Sequence, residues 1–386
     1  MELANLLETW SQVEVEASPT YLLCNGQPNP ENRHVAALKC RTSVGGHIRL
    51  PKGDGMPRLE GEERPDDMTR TGVQVIFTMV LLFSGTCYAA VEGPWCYDEE
   101  SCGPSTWIAH GHCGNSRQSP IDIITTNVIF NSTLGRVTLS GYDNYKKLQE
   151  MTNTGKTVYV KLRDGLFLSG NGLPDVYTAK SLHFHWGNGA AHPGSEHCID
   201  GKQYSMEFHI VHTRNNMSLT DALDDAEGIA VLAFFVQASD SAKGKTAKAW
   251  ESFSKNLQKV TKKGSDTEIQ STVSLQDLMG ATNLARYYRY SGSLTTPNCD
   301  EVVIWTVFPD PILVPTKVVA CFPLDLRATD SSTGPHLVNN FRPPQGVHNR
   351  MVEASALLKP RSAASQTSQP VSLIPFLLGI SAVLPI

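Results

Sequence analysis

Leu182-His183-Phe184-His185-Trp186 and Met206-Glu207-Phe208-His209-Ile210-Val211-His212 are the two stretches on which the reading of this chain turns. Successive side chains of an extended strand point to opposite faces, so residues two apart share a face. His183 and His185 therefore stand together on the first stretch, and Glu207 and His209 stand together on the second. Two such strands in one sheet bring three imidazoles to a single point. Three neutral His nitrogens with a fourth position left for water is the open tetrahedral arrangement of catalytic zinc. Glu207 is placed to accept a hydrogen bond from His209 and set the orientation of its ring. Taken alone, His at i and i+2 also suits paired surface histidines, or imidazoles hydrogen-bonded within a sheet.

Further β-like runs surround these two: Val137–Leu139, Thr157–Leu162, Ala230–Val236 and Val302–Phe308. Val, Ile, Phe and Tyr are frequent in several of them. Turn clusters such as GYDN, RDG, GNGLPD and GNGAAHPG separate the runs. Helical patterns are few, the best being Thr220–Asp225 and Lys243–Leu257. No repeat or linker interrupts residues 95–352. The expectation is one α+β, β-dominated domain of about 260 residues on a large sheet.

Composition narrows the class. The chain has 386 residues, 40% of them hydrophobic and 18% charged, which is globular and not disordered. Its formal net charge is −5 at pH 7, with no basic excess of the kind a nucleic-acid binder carries. A mean hydropathy of −0.21 excludes a polytopic membrane protein but leaves room for one or two apolar segments.

Two such segments are present. Val73–Val91 carries no charge and follows Met68 and Arg70, and the small residues Cys87 and Ala89 suit the −3 and −1 positions of a cleavage site. This is the pattern of a secretory signal peptide over 68–90. Residues 1–67 then form a doubtful N-terminal extension. The competing reading makes them a cytoplasmic tail and the apolar run a signal anchor. At the other end, 371–386 is apolar and uncharged, and a polar stretch over 356–370 precedes it. Small residues, a polar spacer and an apolar tail make a glycosylphosphatidylinositol (GPI) signal, with Ser362 of Ser362-Ala363-Ala364 as the expected attachment site and Ser365 or its neighbours as alternatives. Both ends point to the outer face of the plasma membrane, reached by the secretory pathway. Sequons at Asn131 and Asn216 agree with that route. Of nine Cys, six fall between the two signals: Cys96, Cys102, Cys113, Cys198, Cys299 and Cys321. Six Cys allow fifteen pairings, and spacing does not choose among them.

A family resemblance joins these features. Arg117-Gln-Ser-Pro-Ile-Asp-Ile, Ser181-Leu-His-Phe-His-Trp-Gly, Gly194-Ser-Glu-His, Met206-Glu-Phe-His-Ile-Val-His, Tyr290-Ser-Gly-Ser-Leu-Thr-Thr-Pro and Val338-Asn-Asn-Phe-Arg-Pro resemble the α-class carbonic anhydrases, in the family's order. The likeness runs from about Trp95 to Glu353, placing a catalytic domain at 91–355. Trp95-Cys-Tyr and Thr296-Pro-Asn-Cys-Asp-Glu look most like the GPI-anchored membrane forms, types IV and XV. The resemblance implies a single domain around a twisted, mainly antiparallel sheet of about ten strands, with zinc in a conical cleft. It implies a zinc lyase that hydrates carbon dioxide reversibly to bicarbonate and a proton. His183, His185 and His209 would hold Zn²⁺. Glu196 would accept from the Thr295 hydroxyl, which then orients the attacking hydroxide, and Thr296 would line the same pocket. Asn340 belongs to the supporting motif around the metal. Val211, Val231, Leu294, Val303 and Trp305 match the apolar wall beside which carbon dioxide lies. The same resemblance pairs Cys113 with Cys299 and Cys96 with Cys102. It assigns no partner to Cys198 or Cys321, and makes His197 and His212 structural.

Two positions depart from the family pattern. Ser181 stands where many members have Gln donating to the first zinc His, and its hydroxyl is shorter. Lys156, in Asn153-Thr-Gly-Lys156, stands where the family has a proton-carrying His. A lysine near its ordinary pKa is a poor proton acceptor at neutral pH. The expectation is active catalysis limited by proton transfer, with Lys156 at a wet cleft rim. The alternative function is a non-catalytic extracellular binding module, since the family contains relatives that have lost a zinc His.

Overall fold

The computed structural model describes residues 95–358. The expected extension at 1–67, signal peptide at 68–90, attachment site Ser362 and apolar tail at 371–386 lie outside the described residues. The strands are β1 (Asp122–Ile123), β2 (Ile129–Phe130), β3 (Thr138–Ser140), β4 (Leu148–Asn153), β5 (Val158–Leu162), β6 (Phe167–Ser169) and β7 (Tyr177–Trp186). They continue with β8 (Cys198–Ile199), β9 (Met206–Arg214), β10 (Ile229–Ala238), β11 (Asp266–Glu268), β12 (Tyr288–Gly292), β13 (Val303–Val314) and β14 (Glu353–Ala354). The α-helices are α1 (Leu219–Leu223), α2 (Gly244–Ser254), α3 (Leu275–Met279) and α4 (Thr316–Asp325).

Among the described residues, one sheet of 12 strands runs in the order β11-β4-β5-β7-β9-β10-β13-β12-β14-β2, with β6 also on β7 and β3 on β6. Its main path thus has the expected ten strands. Pairing is antiparallel except at β10–β13 and β14–β2. The small parallel pair β1–β8 stands apart.

Alternation along the central strands divides the core. Phe184, Phe208, Ile210, Leu232 and Phe234 face one side, where Trp250 and Phe253 of α2, Leu275 and Leu278 of α3, and Phe322 of α4 cover them. Val211, Val231, Phe235, Val303 and Trp305 face the other side. The first histidine strand changes sides along its length. Tyr177 and Ala179 point into the helix-covered core, but so do Leu182, Phe184 and Trp186. The register between β7 and β9 shifts between Ala179 and Ser181. This bulge inserts one residue and so reverses the alternation. It places Ser181, His183 and His185 on the opposite face to Tyr177 and Ala179. The pairing His183↔His209 and His185↔Glu207 then sets both histidine strands on a common face.

Candidate active site

The three imidazoles meet where β7 and β9 cross the middle of the sheet. His209 Nδ1 lies 3.3 Å from His183 Nε2 and 3.2 Å from His185 Nε2. The outer nitrogens decide which form two of these rings take. His185 Nδ1 is 2.8 Å from the Asn340 carbonyl oxygen, to which it donates. His209 Nε2 is 2.6 Å from Glu207 Oε1, to which it donates. Burial lowers the pKa of all three rings, that of His185 to about 3. Neutral rings with protons on their outer nitrogens turn bare lone pairs on His185 Nε2 and His209 Nδ1 toward each other. Lone pairs facing at 3.2 Å repel unless a cation lies among them. A tetrahedral ion with Zn–N bonds of 2.0–2.1 Å sets its ligand nitrogens about 3.3 Å apart. These residues therefore fit a metal.

Buried carboxylates support this centre. Glu207 Oε1 also lies 2.7 Å from His197 Nδ1, and Oε2 accepts from the His197 backbone N–H at 2.8 Å. Burial raises the Glu207 pKa, but the His197 and His209 rings outweigh it and hold the group well below its usual value. His197 Nε2 is 2.7 Å from the Tyr290 hydroxyl, which is 2.9 Å from Ser119 Oγ. Ser119 Oγ accepts from Ser293 N–H at 3.0 Å. A continuous chain of hydrogen bonds thus runs from His209 to the loop that carries Leu294 and Thr295.

Glu196 is fully buried, and its Oε1 accepts from the Arg342 backbone N–H at 2.8 Å. Its Oε2 has no hydrogen bond of normal geometry and lies 3.4 Å from His185 Nε2. Burial raises the Glu196 pKa, while Arg342 and the Thr295 hydroxyl pull it down. Thr295 is buried, Thr296 half-buried. The disulfide Cys113–Cys299 closes the far side of their loop, and Leu294 N–H bonds to the Asp300 carbonyl at 3.0 Å. Asn340 is buried and accepts from Trp186 N–H at 2.8 Å while donating to the Lys156 and Phe184 carbonyls.

Val211, Val231 and Trp305 lie side by side across β9, β10 and β13 in direct register. Val303 and Leu294 join the same cluster. Trp305 sets its ring 4.9 Å from that of His209. Ser181 and Val211 also line a cavity of about 600 Å³ with Tyr159, Lys161 and Lys180. Ser181 is buried, and among the described residues no hydrogen bond joins it to His183.

Lys156 departs from a free position on a wet rim. It is half-buried; Nζ donates to the Trp95 carbonyl and sits 3.9 Å from the Trp95 ring centroid. Burial and the Lys263 charge lower its pKa, with Asp98 opposing them. The second disulfide joins Cys96 to Cys102, while Cys198 and Cys321 are free thiols. His212 is buried, with Nε2 2.5 Å from the Tyr142 hydroxyl and Nδ1 donating to the Ala230 carbonyl at 3.0 Å. Asn216 is exposed, whereas the Asn131 amide donates to Glu353 at 2.8 Å.

Arg342 and Ser119 carry structural roles that the sequence reading did not assign. Arg342 donates to Gln118 Oε1, the Ser119 carbonyl and the Cys113 carbonyl, as well as holding Glu196. Both residues lie inside motifs quoted for the resemblance, yet their partners are distant in sequence and no spacing announces them.

A large, mainly antiparallel sheet gathers neutral imidazoles, buried carboxylates and an apolar cluster on one face, an arrangement that could hold a metal ion. A family model described as eukaryotic-type carbonic anhydrase matches residues 102–356, and the chain belongs to that family. It is 37% identical over 287 residues to carbonic anhydrase 4 of Oryctolagus cuniculus, covering 72% of this chain and 90% of that protein. It is 38% identical over 269 residues to carbonic anhydrase 4 of Mus musculus, covering 68% and 84%. Carbonic anhydrase 15 of Mus musculus is 35% identical over 287 residues, covering 71% and 87%. The chain is accordingly a carbonic anhydrase whose reaction is the reversible hydration of carbon dioxide. The non-catalytic alternative is not favoured.

Proposed function

We propose that this chain hydrates carbon dioxide with Zn²⁺ held by His183, His185 and His209, as a GPI-anchored enzyme on the outer cell surface. The observation that carries the metal assignment is the pair of lone pairs facing at 3.2 Å between His185 and His209. Zn²⁺ bound there would supply a Lewis acid that lowers the pKa of water to about 7.

The chain's own residues do the rest. Glu207 and the Asn340 carbonyl hold the outer protons of His209 and His185 and so fix which nitrogen of each faces inward. Glu196 takes the Thr295 hydroxyl hydrogen, so the Thr295 oxygen is left as an acceptor. A hydroxide that donates its proton to that oxygen turns a lone pair toward the wall of Val211, Val231, Leu294, Val303 and Trp305. Carbon dioxide, small and apolar, lies against that wall. With the metal bound, addition of hydroxide to the carbon would give bicarbonate, and the Thr295 backbone N–H would donate to one of its oxygens. Thr296 lines the exit. Each turnover would release one proton, which must leave the site for solvent. Lys156, tied to Trp95, is a poor carrier for that proton, so turnover is limited by its transfer to buffer.

Two disulfides support passage through an oxidising compartment. The likeness to carbonic anhydrases 4 and 15 supports the surface placement, with the domain at 91–355, glycans on Asn131 and Asn216, and Ser362 carrying the anchor. The full chain expressed in cells is expected to be released by a phosphatidylinositol-specific phospholipase; retention with an intact tail by mass spectrometry refutes the anchor. The metal assignment is tested by metal quantification with carbon dioxide hydration. Wild type is expected to hold one zinc per chain, and His209→Ala to hold none and be inactive. One zinc per chain in an active His209→Ala variant overturns the ligand set.

A further inference from the structure

Strand alternation turns Arg289 away from the imidazoles. Its neighbours Tyr288 and Tyr290 join the cluster around Trp305, so Arg289 on β12 faces the other side of the sheet. There it is 3% exposed. Its guanidinium bonds only to neutral oxygens: Nε to Thr306 Oγ1 at 3.1 Å, and Nη1 to the carbonyls of Gly172 at 2.8 Å and Asn171 at 3.4 Å. Nη2 is buried and has no partner. A buried cation without a bonded anion is unfavourable. Burial lowers the Arg289 pKa, and Tyr287, Glu353 and Tyr177 only partly restore it.

A cavity of about 250 Å³ adjoins this side chain. Gly172, Arg289, Tyr290 and Arg350 line it, with Glu227 and Glu353. Arg350, half-buried, likewise bonds only to neutral oxygens. Its Nε, Nη1 and Nη2 donate to the carbonyls of Val347, Ser291 and Gly346. The acidic residues do not satisfy either group. Glu227 is exposed, and Glu353 Oε1 accepts from Asn131. Gly172 has φ +77, and a Cβ there would sit 2.9 Å from Arg289 Nη1. Glycine at this turn therefore lets the backbone approach the guanidinium.

We propose that this cavity is a binding site for one small oxyanion, held between the guanidiniums of Arg289 and Arg350 and separate from the metal centre. Two cations with neutral partners, one of them lacking a bond, gain charge-assisted hydrogen bonds from such a ligand. Inorganic phosphate, a carboxylate and bicarbonate share this chemistry.

The test uses the zinc-loaded protein labelled with ¹⁵N-arginine, titrated separately with phosphate, acetate and bicarbonate. The Arg289 Nε–H signal, identified by its loss in Arg289→Lys, is expected to shift and saturate with at least one anion. The anion that saturates at the lowest concentration names the ligand class. In Arg350→Gln, whose side chain is only half-buried, the affinity is expected to fall at least about tenfold, the effect of one lost hydrogen bond to a charged group. No saturable shift with any of the three, or an unchanged affinity in Arg350→Gln, overturns the site and leaves Arg289 as a tie between β12 and the 171–172 turn.

Discussion

At the scale of single residues, the site depends on hydrogens held in one position. In the proposed mechanism Thr295 acts through the direction of one hydroxyl, with Glu196 as its acceptor, and Glu196 is itself held by the Arg342 backbone N–H. Thr295→Ala is expected to retain zinc and lower carbon dioxide hydration by about two orders of magnitude, as loss of one oriented contact does. Unchanged turnover removes Thr295 from the mechanism. Lys156 shows the opposite case, a residue whose partner withdraws it from the chemistry. Its ammonium is committed to the Trp95 carbonyl and ring. Lys156→His is expected to raise kcat in weak buffer, because a free imidazole titrates near neutrality. Added imidazole is expected to raise kcat of the wild type more than that of the variant. If kcat responds to neither, proton transfer is not limiting.

At the scale of elements, the bulge in β7 turns His183 and His185 onto the face of His209, and the β9–β10 pairing is tied from within by His212. Burial lowers the His212 pKa from 6.5 to about 4. Its neutral ring bonds both Tyr142 and the Ala230 carbonyl. Between those two pKa values the unfolded chain binds the proton and the folded chain does not. The contribution is therefore complete above about pH 6.5 and is lost as pH falls toward 4. Between pH 7 and pH 5 the wild type is expected to lose about 2 kcal/mol through this one group. Urea unfolding at both pH values checks it: His212→Gln, lower in stability at pH 7, is expected to show a smaller fall. An equal fall in both proteins assigns the acid sensitivity elsewhere. The strand runs themselves were legible in sequence because Val, Ile, Phe and Tyr are enriched there and turn residues bound them. The short strands β2, β6, β11 and β14 were not, having two or three residues each and no alternation to read. The register shift was invisible for a different reason: it exists only relative to a partner strand.

At the scale of the whole molecule, one covalent link holds the N-terminal segment to the Thr295 loop. Cys113 and Cys299 are 186 residues apart in sequence, and the Cys113–Cys299 pair is packed against Trp107. Closing so long a loop removes about 5 kcal/mol of unfolded-chain entropy in the chain-entropy model. The double variant Cys113→Ser with Cys299→Ser is expected to melt well below the wild type and to lose activity before it unfolds, since the loop it frees carries Thr295. Parallel activity and melting curves measure this; an unchanged midpoint would show that packing around Trp107 alone holds the segment.

The sequence by itself determined the chemistry on offer. Period-two spacing set His183 with His185, and Glu207 with His209, because strand geometry is local and needs no knowledge of the rest of the fold. The motifs in their order identified the family. Only the tertiary structure decided what each group does in place. The parallel pairing of β10 with β13 joined Val231 to Trp305 in one wall. The fold tied Lys156 to a tryptophan 61 residues away, brought Arg342 to Glu196 across 146, and left Arg289 buried without an anion. Proton positions, lone-pair directions and uncompensated charge follow from which groups meet, and a linear sequence does not hold those meetings.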